Sequence, residues 1–296
     1  MIAARPFDGP TSISDEQLEV MYLGLPTKGR LAFDEAELAL IDEGLRVNPD
    51  DYFLWCARAA LMTDASEAVE CYSQALRVRP LASHALYNRG RKLLGLASTA
   101  MAAADLRAAT VLDPDEPWKW HFLGVSLYFL ERYEDAVAAF EAAVAAAERA
   151  GEPLLPFELE WVWNCHMKRG DADEAAASIS RVDERTPVLP SEATYKRRIL
   201  LYRGALTEAE FLDGIDREDA VEAANQLYGY ANHLHYLRGD TAGSVAVLRE
   251  VLATAPGGAG WGAKMAALDL VERERQLQRG DAANHPEPRE KKGGSL

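Results

Sequence analysis

Cysteine is scarce in this chain. Cys56, Cys71 and Cys165 are odd in number, and no CxxC pair is present. A disulfide scaffold and a zinc ribbon are therefore not expected, and a reducing compartment fits. Positive charge is also short. Lys and Arg total 32 against 47 Asp and Glu, a formal charge of −15. That balance disfavours a nucleic-acid binder, which needs a basic surface to displace counterions, and a polybasic membrane-surface protein. No stretch approaches the roughly 20 apolar residues of a membrane span. The opening MIAARPFDGPTSI lacks the apolar run of a signal peptide. A cytoplasmic chain with no membrane partner is expected. Catalytic signatures are missing as well: GxSxG, HExxH, the Walker loop and GxGxxG do not occur. The run PGGAGWG at 256–262 comes nearest to a phosphate loop. No strand pattern precedes it and no Lys-Ser/Thr completes it, so it reads as a loop between helices.

What is present is a repeat. DASEAVECYSQALRVRP, TAMAAADLRAATVLDP and RYEDAVAAFEAAV align on Ala68, Ala102 and Ala136, each 34 residues from the next. Pro80 and Pro114 keep the same spacing. The shape recurs in segments ending at Pro187 and Pro256, which are 69 residues apart, two periods plus one. A weaker segment around Ala209 lies between them. Ala136 and Ala175 are 39 apart, which places a five-residue insertion near Gly151–Leu155.

This 34-residue pattern resembles the tetratricopeptide-repeat superfamily. Trp120, Leu123, Gly124, Ala136, Phe140 and Ala143 match its motif in the third segment. Gly90, Ala102, Leu106, Ala109 and Pro114 match in the second, and Tyr52, Ala68, Tyr72, Ala75 and Pro80 in the first. The later half also resembles bacterial repeat proteins of unassigned function. The resemblance implies an all-α fold: a right-handed α-solenoid of six helical hairpins with N- and C-terminal capping helices. The expected units are 49–82, 83–116, 117–150, 156–189, 190–223 and 225–258. Small residues at positions 8 and 20 of each unit let its two helices approach, and bulky ones at 4 and 24 fill the space around them.

Residues 1–48 are expected to form a helical cap. Leu18, Met21, Tyr22 and Leu25 follow helical spacing from a capping Ser14, and a second helix spans Phe33 to Val47. Residues 259–279 are expected to cap the other end, with VERERQLQRG as a solvated face, and 280–296 to form a disordered tail. Trp163 stands at position 8 of the fourth unit, where a close approach is impossible; it either fills space opened by the insertion or marks a bend.

The histidines give no zinc spacing, so no metal and no cofactor are expected. His235 is expected to be a hydrogen-bonded core residue. Glu134, Asp135, Asp173 and Glu174 are expected at helix N-termini, opposing the dipole rather than forming catalytic dyads. The resemblance implies a concave groove lined by the first helix of each unit. Its candidate partner-binding residues are Tyr87, Arg91, Trp118, His121, Tyr128, Asn164, Lys168, Arg198 and His233. Arg91, Lys168 and Arg198 are expected to be solvated cations. The expected role is a non-catalytic scaffold holding a protein or peptide segment, acidic in character. The alternative is an enzyme or small-molecule sensor with a pocket near Trp163 and the fifth unit. Members of the superfamily that clamp acidic chaperone tails carry cations where Phe53, Trp118 and Phe122 stand here. Asn88 is the one match of five, so that subtype is not expected.

Overall fold

The computed structural model describes residues 35–152, 155–255 and 260–284. Among them are fourteen α-helices and no strand. The chain divides into two compact units, residues 1–171 and 172–296. The expected helix from Ser14 lies outside the described residues.

The first unit holds α1 (Glu35–Val47), α2 (Tyr52–Leu61), α3 (Ala65–Val78), α4 (Ser83–Gly95), α5 (Thr99–Leu112), α6 (Pro117–Phe129), α7 (Tyr133–Ala150) and α8 (Pro156–Arg169). Each helix packs on the next. Acceptors at the helix starts explain where several begin. Asp51 accepts from the amides of Phe53 and Leu54, Asp64 from those of Ser66 and Glu67, and Glu116 from that of Trp118. These satisfy donors that the helix itself leaves orphaned. Pro117 and Pro156 occupy first-turn positions where a missing N–H costs nothing. Glu134 and Asp135 lie in the first turn of α7, and Asp173 and Glu174 in that of the helix Ala172–Ser178.

Two hairpins of this unit close at a glycine. A Cβ on Gly124 would fall 2.6 Å from the Phe140 ring, and one on Gly90 2.7 Å from Leu106. Ala102, Ala136, Leu106 and Phe140 are completely buried at these contacts. Trp163, at the equivalent place in α8, is among the largest fully buried side chains, so it fills space rather than admitting a neighbour.

The turns between paired helices repeat as well. Ala97, Glu131, Gly170, Gly204 and Gly239 all have positive φ. They stand at the fifteenth position of the second to sixth expected units. Four of these turns carry the same closing bond, in which an amide reaches the carbonyl five residues back: Ser98 to Leu93, Arg132 to Leu127, Asp171 to His166 and Ala205 to Leu200. This is the Schellman geometry, which satisfies orphan carbonyls at a helix end. At the fifth turn the bond runs from Asp240 to Leu234, six residues back.

The extra residue has a place. In the second unit, α9 (Ala172–Ser178), α10 (Ala193–Tyr202) and α11 (Glu208–Asp213) are short, and α12 (Ala220–Asn232) is followed by α13 (Thr241–Thr254) and α14 (Gly260–Asn284). α12 runs on through a widened π turn, His233–Leu237. Such a turn accommodates one more residue than an α turn, which accounts for the period of 35 between Gly204 and Gly239.

Two expectations about the C-terminal end are corrected. α14 runs to Asn284, so residues 280–284 are helical; residues 285–296 lie outside the described residues. The stretch VERERQLQRG is not wholly solvated, because Arg273 is only 1% exposed. Its guanidinium donates to Asn232 Oδ1, Ser244 Oγ, the Ala231 carbonyl and Asp269 Oδ2, while the Tyr228 hydroxyl donates to the same Asp269 oxygen at 2.9 Å. Asn232 and Ser244 are positions 8 and 20 of the sixth unit, so a polar clip stands where earlier hairpins have an apolar contact. Burial of such a charge is tolerable because it is paired and its donors are used.

Two predictions follow the backbone. Gly124→Leu should cost about 1–3 kcal/mol by overpacking Phe140, whereas Gly95→Ala, where a Cβ meets nothing within 4 Å, should gain roughly 0.5–1 kcal/mol of helix propensity. Equal melting temperatures for the two variants would refute the hairpin contact. Glu131→Gly should raise the urea midpoint, because it relieves a left-handed residue at about 1 kcal/mol. Gly170→Ala should lower it by a similar amount.

Candidate functional site

The candidate residues divide between the two units. Tyr87, Arg91, Trp118, His121, Tyr128, Asn164 and Lys168 belong to the first, and Arg198 and His233 to the second.

In the first unit an aromatic tract runs along α4, α6 and α8. The Tyr87 and Phe122 rings meet edge to face at 5.9 Å, and the Arg91 guanidinium lies over both, 5.4 and 4.9 Å from their centroids. A guanidinium over aromatic faces is attracted by the ring quadrupoles. Arg91 is half-buried and has no carboxylate partner among the described residues. Its neighbours differ: Arg58 pairs with Asp42, Arg89 with Asp105, Arg132 with Asp135, and Lys119 with Asp113. Trp118 is 49% exposed and stacks on Phe157, ring centroids 5.4 Å apart and planes 15° from parallel. It therefore offers one indole face outward from a rigid support. Lys168 is half-buried near the end of α8.

The remaining candidates of this unit lie deeper. Tyr128 is buried edge-on against Trp161 at 5.0 Å, and Trp161 in turn stacks on Phe140. Asn164 is buried. His121 is buried within a ring of aromatics, with Trp118, Phe122 and Phe157 edge-on at 5.0–5.5 Å. Its Nδ1 lies 3.0 Å from Oε1 of Glu158, which is completely buried. Burial pushes the Glu158 carboxyl above the ordinary carboxylate range, and the nearby His121 only partly offsets this. Sequence reasoning missed Glu158, because position rules name outward-facing residues and this carboxylate faces none of the solvent.

Arg79 was missed too. It sits at the C-terminal cap of α3, outside the expected groove positions, yet its guanidinium lies 4.7 Å from the rings of both Tyr52 and Phe53. Beside it Pro80, Leu81 and Ala82 line an open cavity of about 420 Å³. Phe53 stands one repeat before Tyr87, so the same aromatic position carries a cation in two successive hairpins.

In the second unit Arg198 is not the solvated cation expected. It is buried, donates to the Asn225 carbonyl at 2.8 Å and lies over the Tyr195 ring. Gly229 makes the room, since a Cβ there would fall 2.2 Å from Arg198 Cδ. Its basic neighbours serve carbonyls as well. Lys196 donates to those of Glu184 and Thr186, Arg197 to those of Glu210 and Phe211, and Arg203 to that of Val182. Short helices leave many carbonyls outside any ladder, and these cations satisfy them. His233 is buried, with Nε2 3.0 Å from Glu208 Oε1; the Tyr230 hydroxyl donates to the other oxygen of Glu208 at 3.1 Å. The bond to His233 holds the Glu208 carboxyl below its ordinary range. His235 is half-buried rather than fully core, and contacts Thr241 Oγ1 at 3.1 Å. Among the described residues no helix is long and apolar enough to cross a membrane.

The model of the tetratricopeptide-repeat family matches residues 120–149, the hairpin of α6 and α7. A heat-shock cognate co-chaperone of Aspergillus fumigatus, sgt12, is 30% identical over 95 residues. That match covers 32% of this chain and 28% of the co-chaperone, so the chain spans little more than a quarter of that relative's length. A solved tetratricopeptide-repeat protein of Parabacteroides merdae is 14% identical, with a TM-score of 0.53 over 88% of this chain and 98% of that one. Its likeness is one of fold. The family match over one hairpin, the repeat spacing around it and the all-helical fold make the chain similar to tetratricopeptide-repeat proteins.

Proposed function

We propose that the chain is a non-catalytic scaffold of the cytoplasm that holds an extended protein segment on the aromatic face of its first unit. Arg91 carries the reading. A guanidinium oriented by two rings, with no carboxylate partner among the described residues, is prepared for an outside acceptor. Preorganised arginine beside exposed tryptophan is the side-chain chemistry of binding hot spots. The net charge of −15 sharpens the argument. An acidic surface repels acidic segments generally, and an unpaired cation in a defined place attracts them there. The bound segment therefore presents a carboxylate to Arg91 and an apolar side chain to Trp118, with Tyr87 and Lys168 flanking. Tyr128, His121 and Asn164 support this face from beneath. Arg198 and His233 take no part in binding, since both are occupied within the second unit. Three buried free cysteines suit a reducing compartment, and the co-chaperone relative supports a protein as partner.

Peptides selected from a random display library on the purified chain should combine an acidic residue with an aromatic or aliphatic one. Arg91→Glu and Trp118→Ala should each weaken the best peptide at least tenfold, about 1.4 kcal/mol. Both variants should keep their helicity and, to within roughly 0.5 kcal/mol, their stability. Undiminished binding by both variants would refute the proposed face.

A further inference from the structure

The aromatic face stands on a titratable support. His121 on α6 and Glu158 on α8 meet in the interior of the first unit, Nδ1 and Oε1 3.0 Å apart, with side chains 5% and 1% exposed. Apart from the approach of His121 Nδ1, neither Glu158 oxygen has a hydrogen-bond partner among the described residues. The contact is a close approach of two ionisable groups and nothing else polar completes it. The same histidine touches both rings of the exposed platform: Trp118 at 5.5 Å and Phe157 at 5.1 Å, each edge-on. Phe157 precedes Glu158 in sequence, and Trp118 lies one helical turn before His121. The proton on this pair and the stacked platform above it are thus carried by the same two turns of helix.

We infer that His121 and Glu158 form a proton-operated latch that holds the Trp118–Phe157 platform in place, so that capture of a segment by this face depends on pH. The dependence on capture rests on the proposed binding face; the latch itself does not.

The sign follows from charge. With one proton between them the two groups bury no net charge. When that proton is lost, a net negative charge remains in an aromatic interior, and the single ring N–H of the neutral His121 is the one donor within reach of it. Burying such a charge is costly, and relief comes by admitting water between α6 and α8. The Glu158 carboxyl is held above its ordinary range by burial. A raised folded value means the stabilising contribution is complete below the unfolded value and is lost as pH rises through the folded one. The latch is therefore closed while the pair holds one proton and opens as that proton is lost toward the alkaline side.

Other charges around the pair do not substitute for it. At the start of α6, Glu116 accepts from the Trp118 amide and burial also raises its carboxyl, so Glu158→Gln is the variant that separates its effect on Trp118 from that of the pair; Lys119 is engaged with Asp113. On α8, Glu160 is buried, and Arg169 pairs with Asp171, near which His166 also lies; Lys168 is half-buried. On α7, Glu134, Asp135, Glu141, Glu148 and Arg149 are exposed. On α4, Arg89 pairs with Asp105 of α5, Arg91 lies over Tyr87 and Phe122, and His84 is beside Asn88; Lys92 is half-buried there, and Arg107 of α5 is exposed. His121 is the one charged group among them whose field shifts Glu158.

The test is a pH titration of the full chain by nuclear magnetic resonance, following the His121 ring and the Trp118 indole N–H, the latter assigned with Trp118→Phe. In the wild type the two signals should move with a common midpoint as pH rises. Glu158→Gln keeps the shape and removes the proton site, so the Trp118 transition should vanish. A Trp118 signal that stays still while His121 titrates would overturn the latch, and this arm needs no variant at the pair. A transition that persists unchanged in folded Glu158→Gln would overturn it as well. Affinity for a library-selected peptide should fall at least fivefold across the wild-type transition and stay level in Glu158→Gln. If Trp118 moves and peptide affinity does not, the dependence of capture on pH is overturned along with the binding face, while the latch stands.

Discussion

Two helices can lie side by side only as closely as their side chains allow, and in this chain that separation is set by Gly124 against Phe140 and Gly90 against Leu106. The aromatic ring or leucine occupies the volume a Cβ would need. Once the pair is that close, the alanines opposite are sealed and the outer faces of both helices become the surfaces for the next pair. A repeat of this kind has no independent core, and its stability is shared with its neighbours. The aromatic tract on α4, α6 and α8 depends on the same spacing. Tyr87, Phe122, Trp118 and Phe157 touch because successive first helices are held in register by the hairpins between them.

The second unit meets the same requirement with different chemistry. Position 8 is Asn232 and position 20 is Ser244, and Arg273 ties them together from the capping helix. Where hydrophobic interdigitation is weak, directional bonds take over. The run Lys196, Arg197, Arg198 and Arg203 does likewise for irregular backbone, each cation closing on one or two carbonyls. These residues make the fifth repeat look degenerate in sequence, and their bonds hold its short helices together.

The helical pairs were legible in the sequence because sterics leaves a periodic trace: small residues, bulky residues and prolines at fixed intervals. Other features left no trace. Ala97 and Glu131 do not announce a left-handed turn as Gly170 does, and their positive φ and closing bonds reveal that all three turn alike. Arg198 was misread because a position rule drawn from regular repeats was applied where Gly229 opens a slot for the side chain. Arg91 and Trp118 were legible as surface residues, whereas the state of Arg91 depends on Phe122, 31 residues away. The contact of His121 with Glu158 spans the inserted residues near Gly151, and no fixed period links the two.

The left-handed turns also confine variation in length. The insertion near Gly151 is over before Gly170, and the surplus residue of the sixth hairpin is absorbed in the widened turn ahead of Gly239. Each turn resets the register, so an error in one hairpin is not inherited by the next. In the vocabulary of engineering these residues are joints. Whole hairpins are exchangeable from one such turn to the equivalent one, and loops of other lengths are best spliced just before them. A recognition surface assembled this way is open to revision one hairpin at a time.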